Sequence, residues 1–168
     1  MRKYAFLGPE STGKSTTAQL VAEQLQGIYI PEMARDYLAT KGLQYTYHDI
    51  LEIAHLQSSE ESRYAATYPD SILLCDTEFI TIEIWLEFLN YDVPQWIPTQ
   101  IRASQYICYF LFDIDIPWVA DPLRANENDR EQLFRLFIEK LTYYQKPYHI
   151  IRGRGYERIT QVMEKIER

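Results

Sequence analysis

A glycine-rich pattern near the start of the chain restricts the possible folds more than any other feature. Residues 8–15 read Gly-Pro-Glu-Ser-Thr-Gly-Lys-Ser, a complete G-x-x-x-x-G-K-[ST] pattern. An apolar run at 3–7 precedes it and an amphipathic helical pattern at 14–24 follows it, which is the context this motif requires. The glycines let the backbone curl so that successive N–H groups point at phosphate oxygens, and the helix start adds its positive end. The sequence therefore predicts a phosphate-binding loop.

This loop predicts binding of a nucleoside triphosphate, with ATP and Mg²⁺ as the cofactors. Lys14 is expected to reach the β- and γ-phosphates, and the Ser15 hydroxyl is expected to bind Mg²⁺. Arg152, in the loop after the last predicted strand, is the candidate near the adenine. The residues predicted to hold the nucleotide are Gly8, Glu10, Ser11, Thr12, Gly13, Lys14, Ser15, Thr16 and Arg152.

Short apolar runs alternate with helical patterns along all 168 residues. Such alternation predicts a mostly parallel five-stranded sheet with helices on both faces, which is the three-layer α/β P-loop NTPase fold. A single domain over residues 1–168 is expected. The predicted strands lie at 3–7, 27–30, 71–75, 105–112 and 148–151, and the predicted helices at 14–24, 33–40, 49–66, 77–89, 127–143 and 157–167.

The amino-acid composition argues against two classes of binding partner, nucleic acids and membranes. The 17 basic and 24 acidic residues give a net charge of −7, which argues against a general nucleic-acid binder. Residues 32–92 hold the whole excess, with 12 acidic and 3 basic residues. No apolar run approaches the ~18 residues of a membrane span, and no signal peptide is apparent, so we expect a cytoplasmic protein without a membrane partner. Nothing in the sequence indicates the oligomeric state.

Two acidic residues lie where the second and third predicted strands end. Asp76 follows four apolar residues and is expected beside the phosphate-binding loop, where it binds Mg²⁺ or accepts a hydrogen bond from a substrate. Glu32 is a candidate to orient an acceptor hydroxyl or take its proton, and Arg35, one turn further, is a candidate substrate ligand. The structural alternatives are a helix cap for Asp76 and an ordinary first-turn acid for Glu32.

Residues 117–126 contain two prolines and several turn formers, which predicts a loop. We expect a lid loop at about 116–128, since loops of this length in compact enzymes often close over a site. Arg124 within it and Arg130 after it are candidates to neutralise charge on the transferred phosphate. The alternative is that both arginines form surface ion pairs with Glu127 or Asp129.

The phosphate-binding loop alone does not choose between enzyme classes. A GTPase would carry an Asn-Lys-x-Asp motif, which the chain lacks, and a motor or AAA-type ATPase normally needs a longer chain. A small-molecule kinase needs an acidic residue at the acceptor, a lid and arginines, and candidates for all three are present. A regulatory ATPase that transfers to water or to a protein is the alternative from another class.

Four blocks of sequence, in this order, resemble the NadR-type ribosylnicotinamide kinase domain. They are the phosphate-binding loop at 8–16, Pro-Glu-Met-Ala-Arg-Asp-Tyr-Leu at 31–38, Asp-Thr-Glu at 76–78 and Asp-Ile-Pro-Trp-Val-Ala-Asp at 115–121. The resemblance implies that MgATP phosphorylates the 5′-hydroxyl of nicotinamide riboside to give nicotinamide mononucleotide. Two positions depart from the family pattern: Glu78 stands where Asp is usual, and Pro122 where Gly is usual.

The resemblance covers only the kinase part of the longer family members. Those carry a DNA-binding segment and an adenylyltransferase domain ahead of it, so neither activity is expected here. A pyridinium substrate favours an acidic pocket with aromatic faces, for which Trp85, Trp118, Tyr37 and Tyr91 are candidates and Trp118 is preferred. A kinase acting on another nucleoside is the nearest alternative.

Replacing the motif lysine tests the phosphate-binding prediction. Lys14→Ala removes the ammonium that is expected to contact the β- and γ-phosphates, so phosphoryl transfer is abolished. The fold survives, since the residue lies at a loop, and circular dichroism checks this. A folded Lys14→Ala protein with full turnover would contradict the assignment of residues 8–15.

Overall fold

The computed structural model describes residues 1–42, 44–124 and 126–166 and confirms the predicted α/β fold class. All five strands pair in parallel, in the spatial order β2-β3-β1-β4-β5. The strands are β1 (Arg2–Leu7), β2 (Ile28–Ile30), β3 (Ile72–Asp76), β4 (Cys108–Phe112) and β5 (Tyr148–Ile151). The helices are α1 (Lys14–Leu25), α2 (Met33–Lys41), α3 (Tyr47–Thr67), α4 (Phe79–Phe88), α5 (Trp96–Ala103), α6 (Arg130–Tyr143) and α7 (Tyr156–Ile166).

Strand β1 lies at the centre of the sheet and sets the position of the site. Phe6 is opposite Asp76 of β3 on one side and Phe110 of β4 on the other. Because every strand runs the same way, the loops that follow them all leave from one edge. The phosphate-binding loop, Glu32 and Asp76 therefore meet at that edge.

Two apolar cores cover the sheet, one on each face. One face packs against α3, α4, α5 and α6, and its core includes Ile53, Ile84 and Phe137. The other face packs against α1 and α7 through a row of rings in which Phe6 lies 5.3 Å from Phe110 and 5.8 Å from Phe112, between ring centroids. The predicted three layers follow from these two cores.

The structure departs from the predicted elements in three places. Helix α5 was not predicted, because Pro98 in its first turn reads as a breaker. The first N–H groups of a helix have no acceptor within the helix, so a proline there removes no helical hydrogen bond. The helix predicted at 127–143 begins with a 3₁₀ turn over Glu127–Asp129. Strand β4 is shorter than predicted and begins at Cys108.

Parts of two predictions fall outside the described residues. They are position 125 of the lid loop and position 167 of the last predicted helix. Within the ranges that the structure does describe, no helix combines the length and apolar character that a membrane crossing needs.

Asp49 fixes the corner between α2 and α3, which forms one wall of the site. Its carboxylate accepts hydrogen bonds from the Thr46 N–H and hydroxyl, both at 2.7 Å, and from the Tyr37 hydroxyl at 2.7 Å. Lys41 Nζ lies 3.0 Å from the same carboxylate. The hydrogen bonds from Thr46, Tyr37 and Lys41 hold the pKa of Asp49 well below its usual range.

This network predicts a pH-dependent contribution to stability. A carboxylate whose pKa is depressed by folding stabilises the folded state above its unfolded pKa of about 4 and loses that effect as the pH falls. Asp49→Asn should therefore lower the urea midpoint at pH 7, and its difference from the wild type should shrink below pH ~4. Asp70→Asn, at an exposed turn, is the matched control and should change little. A difference for Asp49→Asn that stays constant down to pH ~2.5 would contradict this account.

Candidate active site

A cavity of about 510 Å³ opens at the carboxyl edge of the sheet. One end is polar and is formed by the phosphate-binding loop with Tyr29, Glu32 and Asp76. The other end is mainly apolar and aromatic. Its residues come from the α2–α3 connection, α4 and α6, and they include Tyr45, Ile84, Trp85, Phe88, Leu133 and Phe137.

The phosphate-binding loop takes backbone conformations that its glycines make possible. Gly8 has a φ of 142°, and a Cβ there would lie 2.8 Å from the carbonyl oxygen of Phe112, so a side chain does not fit. Gly13 has a φ of 75° directly before α1. Inside the loop, the Thr12 hydroxyl donates to the Pro9 carbonyl oxygen at 2.8 Å. The loop thus curls tightly and ends at the amino terminus of a twelve-residue helix.

Lys14 reaches into the polar end of the cavity, where carboxylates surround it. Its Nζ lies 3.8 Å from Glu32 Oε2. Burial alone would lower the pKa of Lys14, but the charges of Glu32, Asp76 and Glu10 outweigh it and leave that pKa raised. Lys14 is therefore a cation at the end of the phosphate-binding loop, where α1 begins.

Asp76 is fully buried at the end of β3, and only one of its oxygens is held by a described side-chain hydrogen bond. The Tyr29 hydroxyl donates to Asp76 Oδ2 at 3.0 Å, while Oδ1 has no hydrogen-bond partner among the described residues. Burial raises the pKa of Asp76 to about 6; Lys14 opposes that rise and Glu32 adds to it. Buried polar atoms normally have a partner, so Asp76 Oδ1 is available to bind a ligand.

Arg158 of α7 supports the loop from the side away from the cavity. It is buried, and its guanidinium donates to the carbonyl oxygens of Thr12, Gly153 (2.7 Å) and Asp113 (3.1 Å). It also forms an ion pair with Asp115. One side chain thereby joins the phosphate-binding loop to the loops that follow β4 and β5.

The described part of the lid loop is attached to the phosphate-binding loop. The Val119 N–H donates to Ser11 Oγ at 2.8 Å, and the Asn126 N–H donates to Glu10 Oε2 at 3.0 Å. Across the cavity mouth, Arg35 Nη2 of α2 lies 2.7 Å from Asp121 Oδ2. The lid loop therefore contacts both walls of the cavity.

The structure brings most of the predicted site residues together. Arg35 and Arg124 line the cavity with Glu32 and Asp76. The whole predicted loop also lines it, namely Gly8, Glu10, Ser11, Thr12, Gly13, Lys14, Ser15 and Thr16.

Arg130, Arg152 and three of the four candidate aromatic residues lie outside this cavity. Arg130 donates to the carbonyl oxygens of Ile116 and Ser11, both at 3.1 Å, and its guanidinium lies 5.9 Å from the centroid of the Trp118 ring. Arg152 Nε donates to Asp113 Oδ2 at 2.8 Å. Of the four candidate aromatic residues, Trp85 lines the cavity, whereas Trp118, Tyr37 and Tyr91 do not.

Sequence reasoning missed Tyr29 and most of the apolar end. Tyr29 lies on β2 between two isoleucines, so the sequence predicts an ordinary strand residue there. Its position near the end of the strand is the one signal that could have identified it. Leu133 and Phe137 belong to an apolar helix face, but the pattern does not distinguish a face that packs fully from one that borders a cavity. No role was predicted for Arg158 from the sequence.

A family model described as an AAA domain matches residues 3–158. The trifunctional NAD biosynthesis/regulator protein NadR of Salmonella typhimurium (strain LT2) is 28% identical over 149 residues, which are 84% of this chain and 36% of that protein. The chain thus spans about a third of the curated relative that it matches. Both findings confirm the resemblance seen in the sequence.

Two solved structures share the fold. A crystal structure of NadR in complex with NR superposes with a TM-score of 0.82 at 17% identity, covering 99% of this chain and 48% of that chain. Deoxyadenosine kinase from M. mycoides with bound dATP gives a TM-score of 0.68 at 16% identity, with 100% of both chains covered. Both likenesses support the predicted P-loop fold class.

The support that Arg158 gives to the phosphate-binding loop is testable by stability. Arg158→Met leaves carbonyl oxygens of three loops and one carboxylate without their donor, which should cost about 3 kcal/mol of unfolding free energy. Arg154→Met, at an exposed position of the same loop region, should stay within about 0.5 kcal/mol of the wild type. Equal effects of the two substitutions in urea denaturation would show that the bonds of Arg158 are not what stabilises this region.

Proposed function

The chain belongs to the AAA domain family, and from that premise we propose that it is an ATP-dependent phosphotransferase acting on a small nucleoside. One observation carries the proposal: a single cavity joins the phosphate-binding loop to an apolar, aromatic pocket, with Glu32 and Asp76 beside the loop. A protein that transfers phosphate to water needs no such second pocket. An acceptor bound there would lie within reach of the γ-phosphate.

The polar end is suited to MgATP. Backbone N–H groups of residues 8–15 and the amino terminus of α1 offer the triphosphate its donors, and Lys14 supplies positive charge. Ser15 and Asp76 would hold Mg²⁺, and the free buried Oδ1 of Asp76 fits this donor set. Among the described residues, no three His, Cys, Asp or Glu side chains lie together to hold a metal ion, so phosphate oxygens and water would have to complete the ligand shell of Mg²⁺. The ion would offset charge on the phosphate oxygens.

Glu32 and Asp76 are the candidate groups for activating the acceptor. In the proposed reaction the acceptor hydroxyl oxygen forms a bond to the γ-phosphorus, and the bond between that phosphorus and the leaving ADP oxygen breaks. The hydroxyl proton passes to one of the two carboxylates. We favour Glu32 as the acceptor of the proton, since Tyr29 already holds one oxygen of Asp76 and Mg²⁺ would take the other.

We propose nicotinamide riboside as the acceptor and nicotinamide mononucleotide as the product. The relatives named NadR support this, as does the chemistry of the pocket. Trp85 Nε1 donates to the Tyr45 hydroxyl at 3.1 Å, and their ring centroids lie 5.0 Å apart, which sets two aromatic side chains at the apolar end. Aromatic faces and nearby carboxylates favour a flat cation such as pyridinium. Trp85, which lines the cavity, is therefore the proposed aromatic contact in place of Trp118.

The described residues are proposed to form one kinase domain with the lid loop at 116–128. Arg124 lines the cavity from that loop and is the candidate to contact the γ-phosphate. The Arg35–Asp121 ion pair would hold the loop over the acceptor. Arg130, bonded to backbone carbonyls at the base of the loop, would fix its position. Because MgATP and nucleosides are cytoplasmic metabolites, we place the reaction in the cytoplasm.

A coupled assay of ADP release tests this function. With MgATP, nicotinamide riboside should stimulate release strongly, whereas ordinary ribo- and deoxyribonucleosides should not. Trp85→Leu should raise the KM for nicotinamide riboside about tenfold, since it removes an aromatic contact of about 1–2 kcal/mol, and leave the KM for ATP unchanged. Tyr91→Leu, at an exposed aromatic residue outside the cavity, is the matched control.

Two results would contradict the assignment at different levels. Stimulation by another nucleoside alone would keep the kinase and discard the acceptor. Release that no nucleoside changes, in protein shown to bind ATP, would favour a regulatory ATPase.

A further inference from the structure

Helix α2 begins at the site in an unusual way. Glu32 occupies the position before its first residue, where a Ser, Thr, Asp or Asn side chain commonly accepts a hydrogen bond from the first turn, and the Glu32 side chain accepts none there. The N–H of Met33, the first residue of α2, instead donates to Gln57 Oε1 of α3 at 2.9 Å. A neighbouring helix therefore supplies the oxygen that caps α2, and the Glu32 carboxylate faces Lys14.

The position of Gln57 costs folding free energy, because part of its buried side chain has no hydrogen-bond partner among the described residues. Its side chain is 5% exposed, in the middle of a 21-residue helix, and its amide nitrogen is buried without an acceptor among the described residues. A buried amide that is only half bonded is unfavourable, so an apolar residue would pack there more easily. Core packing therefore does not explain why a polar residue occupies this position.

A second small cavity lies between Gln57 and the site. It measures about 10 Å³, and Glu32 and Thr77 also line it. Thr77 directly follows Asp76, has a φ of 80° that is rare for a β-branched residue, and buries a hydroxyl with no partner among the described residues. This volume is close to that of a single water, which would link the Gln57 amide to Glu32 and Thr77.

We propose that Gln57 is a positioning residue for Glu32. By capping α2 from α3, it removes the bond that would draw the Glu32 carboxylate back onto its own helix, and so keeps that carboxylate directed to the acceptor. The inference rests on the proposed function, in which Glu32 takes the proton of the acceptor hydroxyl.

The physical basis is a competition for one carboxylate. The first N–H groups of a helix need acceptors from outside the helix, and a carboxylate near them also gains from the helix dipole. Without Gln57, the Met33 N–H loses its acceptor, and the adjacent Glu32 carboxylate is the nearest charged acceptor along the chain. A carboxylate drawn back to the helix in this way is displaced from the acceptor hydroxyl.

The test replaces Gln57 by Met, which keeps length and packing and removes both polar atoms. Gln57→Met should lower kcat for the nucleoside acceptor about 10- to 100-fold, since a misplaced base costs this much, and leave the KM for ATP unchanged. Gln24→Met, an identical change at an exposed position of α1, should keep wild-type kinetics. Thermal melting of both variants measures any general loss of stability.

A double-mutant cycle with Glu32→Gln separates positioning from packing. If Gln57 acts through Glu32, adding Gln57→Met to Glu32→Gln should change kcat less than about twofold. Effects that multiply would overturn the proposal, as would a Gln57→Met enzyme with wild-type kcat.

Hydrogen exchange provides a readout that does not need activity. In Gln57→Met, the Met33 amide should stay protected because Glu32 now accepts from it, and adding Glu32→Ala should make that amide exchange faster. Exchange at Met33 that adding Glu32→Ala leaves unchanged would overturn the proposal. If the wild type phosphorylates no nucleoside, the proposed function fails, yet this measurement still decides whether Gln57 caps α2.

Discussion

Parallel pairing of β1 with both of its neighbours is the constraint on which the rest of the molecule depends. Because β3 and β4 run in the same direction as β1, the chain must cross over the sheet between strands, and the loops after all five strands leave from one edge. Residues far apart in the sequence, such as Lys14, Glu32 and Asp76, meet there without any dedicated contact to gather them. The site is thus a consequence of topology, and its chemistry depends on which residues stand at the strand ends.

Charge balance then explains why those residues need one another. Lys14 and Asp76 leave water beside Glu32, and burial disfavours the charged form of Lys14 and of Asp76. The ammonium stays charged because carboxylates flank it, and Asp76 takes one hydrogen bond from Tyr29 while keeping an oxygen free. An arrangement that is only partly satisfied is costly in a core. In the proposed function, a metal ion and phosphate oxygens would complete it, and the stability of the site would then depend on its ligands.

The sequence predicts the parts of this structure whose signals are local. The phosphate-binding loop, all five strands, and the placement of Glu32 and Asp76 follow from motif and periodicity. Helix α5 was missed because Pro98 was read as a helix breaker, although proline is tolerated in the first turn of a helix. Tyr29, Gln57 and Arg158 could not be predicted, because each acts through contacts between elements: a strand with a strand, a helix with a helix, and a helix with three loops. The lid loop was located, but its turn places Trp118 against Arg130 rather than in the cavity.

The central claim is that the γ-phosphate passes to a nucleoside hydroxyl bound beside the phosphate-binding loop. Phosphorus NMR of a mixture of the protein, MgATP and nicotinamide riboside follows the fate of that phosphate directly. The account predicts a new monoester resonance, split by the two hydrogens of the 5′-carbon, that grows as the γ-phosphate signal of ATP declines. Growth of inorganic phosphate in its place would contradict the account, because water would then be the acceptor.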